Sequence, residues 1–164
     1  MNMPDILDTQ LSPHFKLREF VRSAIAQAHG IDNTPPDDCL PLLKEFCVKI
    51  LEPLREKFGA VFITSGYRCP QVNALAHGSP TSDHQWSPSH IAADCHFLHP
   101  LRNVFDWLRL ESKLPFDQCI LEFGKIPDTE TDDCIHISYR VEPRRIALVG
   151  ETHNRAGYDR VEVV

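Results

Sequence analysis

Between residues 43 and 64 the hydrophobic period of the chain changes once, and that change narrows the folds open to it. Leu43, Phe46, Cys47, Ile50, Leu54 and Phe58 recur at three- and four-residue spacing up to Gly59, which marks one face of a helix. Asp37 or Asp38 can cap its start, and Pro53 is expected to kink it. Directly after Gly59, "AVFIT" at 60–64 is a short block of β-formers and reads as a buried strand. A chain that alternated helix and strand from here on would build a parallel sheet, so the pattern beyond residue 64 decides the class.

That later part of the chain is mostly strand. "HIAADCHF" at 90–97 alternates, with Ala92, Asp94 and His96 on one face and Ile91, Ala93, Cys95 and Phe97 on the other. "FDQCILEF" and "DCIHISYRV" read as two more strands joined by the loop "GKIPDTETD", and "RIALV" as an edge strand. Helical spacing returns in "PLRNVFDWLRLES" at 100–112, and a helical turn is expected over 70–76. Before residue 43, the segment 15–29 carries Phe15, Phe20 and Ile25 near helical spacing and stops at Gly30, which predicts one further helix. Helices first and strands later give an α+β domain: a small, mainly antiparallel sheet packed with about three helices.

At 164 residues the whole chain, 1–164, is expected to be one domain. A net charge of −6 argues against nucleic acid as a partner, since the one basic pair in "EPRRIA" reads as a solvated turn. The start "MNMPDILDTQLSPHF" shows neither a signal peptide nor a membrane-spanning run, so a protein that is cytoplasmic on synthesis and independent of membranes is expected. Six cysteines without CxxC pairs, several beside apolar residues, read as free thiols.

The chemistry concentrates in "TSDHQWSPSHIAADCHF" at 81–97, which holds His84, His90, His96 and Asp94, while the late strand adds His136 with Asp133 three residues before it. A catalytic zinc takes three such ligands and keeps a fourth position for water. Two clusters this far apart in sequence can converge across a sheet.

Ordered motifs run through the chain: "HFKLREFVRS" at 14–23, "GIDNTPP" at 30–36, "ILEPLREKFG" at 50–59, "ITSGYRCPQVN" at 63–73, "TSDH" at 81–84, "IAAD" at 91–94, "LPFDQCILEF" at 114–123 and "CIHISYR" at 134–140. With them the chain resembles the zinc D-Ala-D-Ala carboxypeptidase and L-alanyl-D-glutamate endopeptidase family, in its short phage and bacterial branch. Residues 1–12 and 151–164 lie outside the resemblance. It implies the carboxypeptidase-like, hedgehog-like α+β fold. Mapped onto the family motif S-x-H-x-x-G-x-A-x-D, Ser82 and His84 match its first half, Ala92 and Asp94 its second, and His136 the distant ligand. The departure is the gap: His84 and Asp94 stand ten apart where the motif has seven, so either a longer turn absorbs three residues or His90 replaces His84.

The resemblance thus implies Zn²⁺ held by His84, Asp94 and His136, with Asp133 as the base and Glu122, an acid in an apolar strand, as its competitor. Arg68 is expected to position or polarise the substrate, and Ser82 to orient the site by hydrogen bonding. The implied activity is hydrolysis of an amide in the peptidoglycan stem peptide by a phage or prophage enzyme released on lysis or carried in the virion. The rival expectation is a virion or tail structural protein that keeps the fold and has lost catalysis.

Overall fold

A computed structural model describes residues 6–123, 133–150 and 157–164; the expected loop "GKIPDTETD" falls on 124–132, outside them. After a 3-10 turn at Ile6–Asp8, a two-stranded ribbon (β1, Gln10–Ser12; β2, Phe15–Lys16) leads into α1, Leu17–Val21. The single helix expected over 15–29 is therefore two, because Ser23 starts a new one. Arg22 is extended (φ −62°, ψ 128°), and the Ser23 side chain accepts the Ala26 N–H to cap α2, Ala24–His29. Gly30 closes α2 in the left-handed conformation, at φ 61°.

The long amphipathic stretch forms one continuous helical run: α3, Leu40–Phe46, a wide π turn over Cys47–Leu51, and α4, Glu52–Phe58. Where a proline kink was expected, the hydrogen bonding changes register instead. The Glu52 N–H reaches back five residues to the Cys47 carbonyl, and Pro53, which has no N–H to offer, sits in the first turn of α4. Leu43, Phe46, Ile50 and Leu54 are fully buried along this run.

Next come β3 (Val61–Ser65), α5 (Pro70–Leu75), β4 (His90–Phe97), α6 (Leu101–Leu110), β5 (Gln118–Glu122), β6 (Cys134–Arg140), β7 (Ile146–Gly150) and β8 (Tyr158–Val161). Six of the strands form one sheet in the order β3-β4-β6-β5-β7-β8. All pairings are antiparallel except β5 with β7. Consequently "RIALV" is an interior strand, and the edge beyond it is supplied by β8 from the chain's last residues.

Strand alternation divides the sheet into two unlike faces. Ile91, Ala93, Cys95, Ile135, Ile137, Cys119 and Ala147 are all fully buried and join Phe46, Leu54, Val104, Phe105 and Leu108 of the helices in a single core. Opposite them, Ala92 and Asp94 of β4 pair with Ser138 and His136 of β6, and Ser138, His136 and Cys134 of β6 pair with Gln118, Ile120 and Glu122 of β5. Polar side chains thus gather on the face that the helices leave uncovered.

Candidate metal centre

Asp94 and His136 are direct cross-strand partners in the middle of the sheet. On the other side of Asp94 the pairing with β3 shifts register between Ile63 and Ser65, a bulge that leaves Thr64 as the extra residue. Thr64 Oγ1 donates to the Asp94 carbonyl at 3.2 Å, which ties the bulge to the strand.

His84 comes from the 76–89 loop and is held over the sheet by three contacts. Its carbonyl accepts the Arg68 N–H at 2.9 Å, its own N–H reaches Ser82 Oγ at 3.3 Å, and its Nδ1 lies 2.6 Å from the Gly66 carbonyl. A carbonyl can only accept, so Nδ1 carries a proton, and Nε2 is the nitrogen that faces the site. Gly66 is required for this approach: a Cβ there would meet the Phe20 backbone at 2.8 Å or closer.

The ten-residue gap closes through a small hairpin outside the site. Ser87 and His90 pair as an isolated antiparallel bridge, with Ser87 N–H to the His90 carbonyl at 3.0 Å. The Trp86 indole N–H bonds the Ala92 carbonyl at 2.9 Å and anchors the hairpin's base. His90 is engaged on both ring nitrogens, Nδ1 with Ser87 Oγ at 2.8 Å and Nε2 with the Gln85 carbonyl at 3.2 Å, so it is held within the hairpin.

Three donor atoms converge as a result. Asp94 Oδ1 lies 3.1 Å from His84 Nε2 and 2.9 Å from His136 Nδ1, and the two nitrogens are 3.2 Å apart. Zinc bonds of 2.0–2.1 Å in a tetrahedron put ligand atoms about 3.3 Å from one another. The triangle therefore has the size of one tetrahedral face, and its buried His, His and carboxylate donors are the set that zinc prefers.

The charges reinforce one another. Burial pushes the Asp94 carboxyl up, but the charge of His84 and the hydrogen bonds from both imidazoles outweigh it and hold the group well below the usual carboxylate range. For His136 burial favours the neutral ring, and the bond and charge of Asp94 more than reverse that. Arg68 completes the carboxylate's surroundings, with Nη2 3.0 Å from Asp94 Oδ2 and Nε 3.0 Å from Ser65 Oγ.

The two candidate bases occupy different places. Glu122 shares the sheet face of His136 and, with Cys134, brings a ligand atom within 4.8 Å of the Asp94 carboxylate. Tyr158 on β8 donates its hydroxyl to Glu122 Oε1 at 3.1 Å. Asp133 directly precedes β6, one residue out of phase with Cys134 and His136. Its carbonyl lies 3.3 Å from His96 Nδ1, and the residue lines a cavity of about 470 Å³ with His96, His99, Leu101 and Phe123.

All six cysteines are unpaired. Burial, followed by the charges of Asp94 and Glu122, pushes the Cys134 thiol up, and burial does the same at Cys95. Both are kept as thiols, which is the wrong state for a nucleophile.

The sequence model of the peptidase M15 family matches residues 13–112. The chain belongs to the peptidase M15 family. No curated protein and no solved structure matches it. The matched span of this M15 chain contains Arg68, Ser82, His84 and Asp94, whereas Glu122, Asp133 and His136 lie beyond it and are placed by the sheet. Sequence reasoning missed three supports of the M15 centre. The Gly66 carbonyl could have been suspected from the glycine in "SGYR". Tyr158 gave no signal. The third is an ionic chain in which Asp83, next to His84, pairs with Arg140 at 2.9 Å, and Arg140 and Arg144 both bind the fully buried Asp117. Together these pairs clamp the loop carrying His84 to the end of β6. Among the described residues of this M15 domain, no helix is long and apolar enough to cross a membrane.

Proposed function

We propose that the protein is a zinc-dependent peptidase that hydrolyses an amide bond in the stem peptide of peptidoglycan. The observation that carries this reading is the convergence of His84, Asp94 and His136 on a triangle of tetrahedral size beside Arg68. Family membership supports a peptidase, and the wall substrate rests on the motif resemblance.

His84 Nε2, His136 Nδ1 and an Asp94 oxygen would hold the ion. Bound there, zinc supplies Lewis acidity, polarising the scissile carbonyl and making a water acidic enough to attack at neutral pH. The protein's own groups do the rest. Glu122, on the same sheet face, takes the proton of the attacking water and returns one to the leaving amine, with Tyr158 fixing one of its oxygens. Two of Arg68's five N–H donors are used by Asp94 and Ser65, and its fork is partly open to solvent, so it can also grip a substrate carbonyl as negative charge develops there. Delivery to the wall by lysis or within a virion belongs to the same proposal.

The test is zinc content per chain for wild type, His84→Ala and His90→Ala, followed by release of new amino groups from purified peptidoglycan. About one zinc in wild type and in His90→Ala, little in His84→Ala, and wall cleavage that tracks the zinc are expected. A zinc-loaded wild type that releases no amines from walls or stem peptides would overturn the reading.

A further inference from the structure

Two neighbouring cavities lie along the outer edge of the sheet, next to Arg68, the residue bonded to Asp94. Between the start of α2 and β3 lies a cavity of about 290 Å³ lined by Arg22, Ser23, Thr64, Ser65, Tyr67 and Arg68. A second cavity, of about 620 Å³, shares Arg22, Ser23 and Thr64 with it and extends to Gln27 and Ile63. The two are neighbours with shared walls, and together they line a channel surface flanking β3. Among the described residues that strand ends the sheet, and no further strand pairs with its outer side. An unpaired edge of this kind is the surface on which an extended peptide adds itself by main-chain hydrogen bonds.

The channel's charge is also one-sided. The chain is acidic overall, yet the lining holds two arginines and no carboxylate. Arg68 stands at the inner end, already bonded to Asp94, which joins the channel to the metal centre. Arg22 is exposed, sits at the break between α1 and α2, and among the described residues makes no ion pair. The break is what carries Arg22 out of helical geometry and into the channel wall.

We propose that this channel is the subsite for the extended peptide on one side of the cleaved bond, and that Arg22 recognises a free carboxylate on that peptide. The inference rests on the peptidase reading and adds a specificity to it: the preferred substrates are acidic peptides, selected at a distance from the cleaved bond. Ser23, Thr64 and Ser65 offer small polar walls that leave room for a main chain, and a permanently charged fork suits a carboxylate.

The experiment uses the zinc-loaded full chain and a stem-type tetrapeptide, L-Ala-γ-D-Glu-L-Lys-D-Ala, beside the same peptide with its carboxylates converted to amides. Binding is measured by calorimetry, and KM and kcat are measured separately, for wild type, Arg22→Ala and Arg22→Lys. Wild type should prefer the acid form by about tenfold or more, the scale of one charge-assisted hydrogen bond. Arg22→Ala should reduce that preference toward one through KM, with kcat changed much less, and Arg22→Lys should restore part of it. Equal weakening of both peptides by Arg22→Ala, or a preference that survives it, would overturn the assignment. Binding that keeps the Arg22-dependent preference while no peptide is cut would sink the peptidase reading and leave the subsite standing.

Discussion

Gly66→Ala is the substitution whose effect can be worked furthest from the structure. The new Cβ would lie 2.8 Å from the Phe20 carbonyl carbon and Cα, and nearer still to the oxygen. Nonbonded carbons rest about 3.5 Å apart or more, so the two backbones must separate by about 0.7 Å. That movement takes the Tyr67 N–H bond to the Phe20 carbonyl from 2.7 Å to about 3.4 Å, beyond useful hydrogen-bonding range. It also moves the Gly66 carbonyl, which fixes the tautomer and aim of His84 at 2.6 Å. Overpacking costs about 1–3 kcal/mol, and a buried group left without its partner about another 1–3 kcal/mol. The metal-free protein should therefore lose about 2–6 kcal/mol in urea unfolding. Zinc affinity, measured by competition with a chelating dye, should fall about 10–100-fold, the usual effect of losing the group that orients a histidine ligand. His84→Ala serves as the reference, since it removes the ligand itself and leaves the Phe20 contact alone. A Gly66→Ala protein with wild-type unfolding and wild-type zinc affinity would refute the argument that this glycine builds the metal site.

The same geometry sets other expectations. Glu122→Gln should lower kcat by about 100-fold or more while zinc remains bound, and Asp133→Asn should cost much less; the reverse order would return the base to Asp133. At Asp117 burial pushes the carboxyl up, but the Arg144 bonds and the charges of Arg144 and Arg140 more than offset this and hold it below its usual range. A carboxyl depressed in the folded state adds stability above its unfolded pKa near 4, and that stability is lost as pH falls through the folded value. Asp117→Asn should therefore destabilise by about 2 kcal/mol near neutrality and flatten the acid side of the stability profile, read by thermal unfolding from pH 3 to 7. Cys95 and Cys134 should resist alkylation in the folded protein at neutral pH, as judged by mass spectrometry, and Cys134→Ser should keep its zinc; rapid modification of either would show an activated thiol.

How much of this could be read in advance depended on whether a signal was periodic or positional. The stripe from Leu43 to Phe58 and the alternation from His90 to Phe97 each repeat, so the helical run and the central strand were legible, and so was the α+β class. Ser23 is a single capping residue inside an apparently continuous stripe, and it splits the first helix although no repeat announces it. Pro53 was legible as a disturbance but not in its form, because a wider turn upstream met the same need as a kink. The last strand was hidden for another reason: "YDRV" is held in place by pairing with β7, and its burial is slight. At the site, residue types offered His84, His90, His96, Asp94 and His136, and the motif resemblance singled out His84, Asp94 and His136, while their supports depend on backbone carbonyls and on partners up to 57 residues away. Such contacts leave no local pattern.

The hairpin between His84 and Asp94 has a consequence for how centres of this kind are recognised. Its two ends are pinned, by the Trp86 indole on Ala92 and by the bridge from Ser87 to His90, so residues added at the tip need not move either end. Donor geometry is thereby uncoupled from the count of residues separating the donors. The loop is expected to behave as an expandable spacer, and a new peptide sequence grafted between Pro88 and Ser89 should leave His84, Asp94 and His136 in register. A search keyed to a fixed interval would pass over such proteins, whereas one keyed to a histidine whose proton is held by a glycine carbonyl would find them.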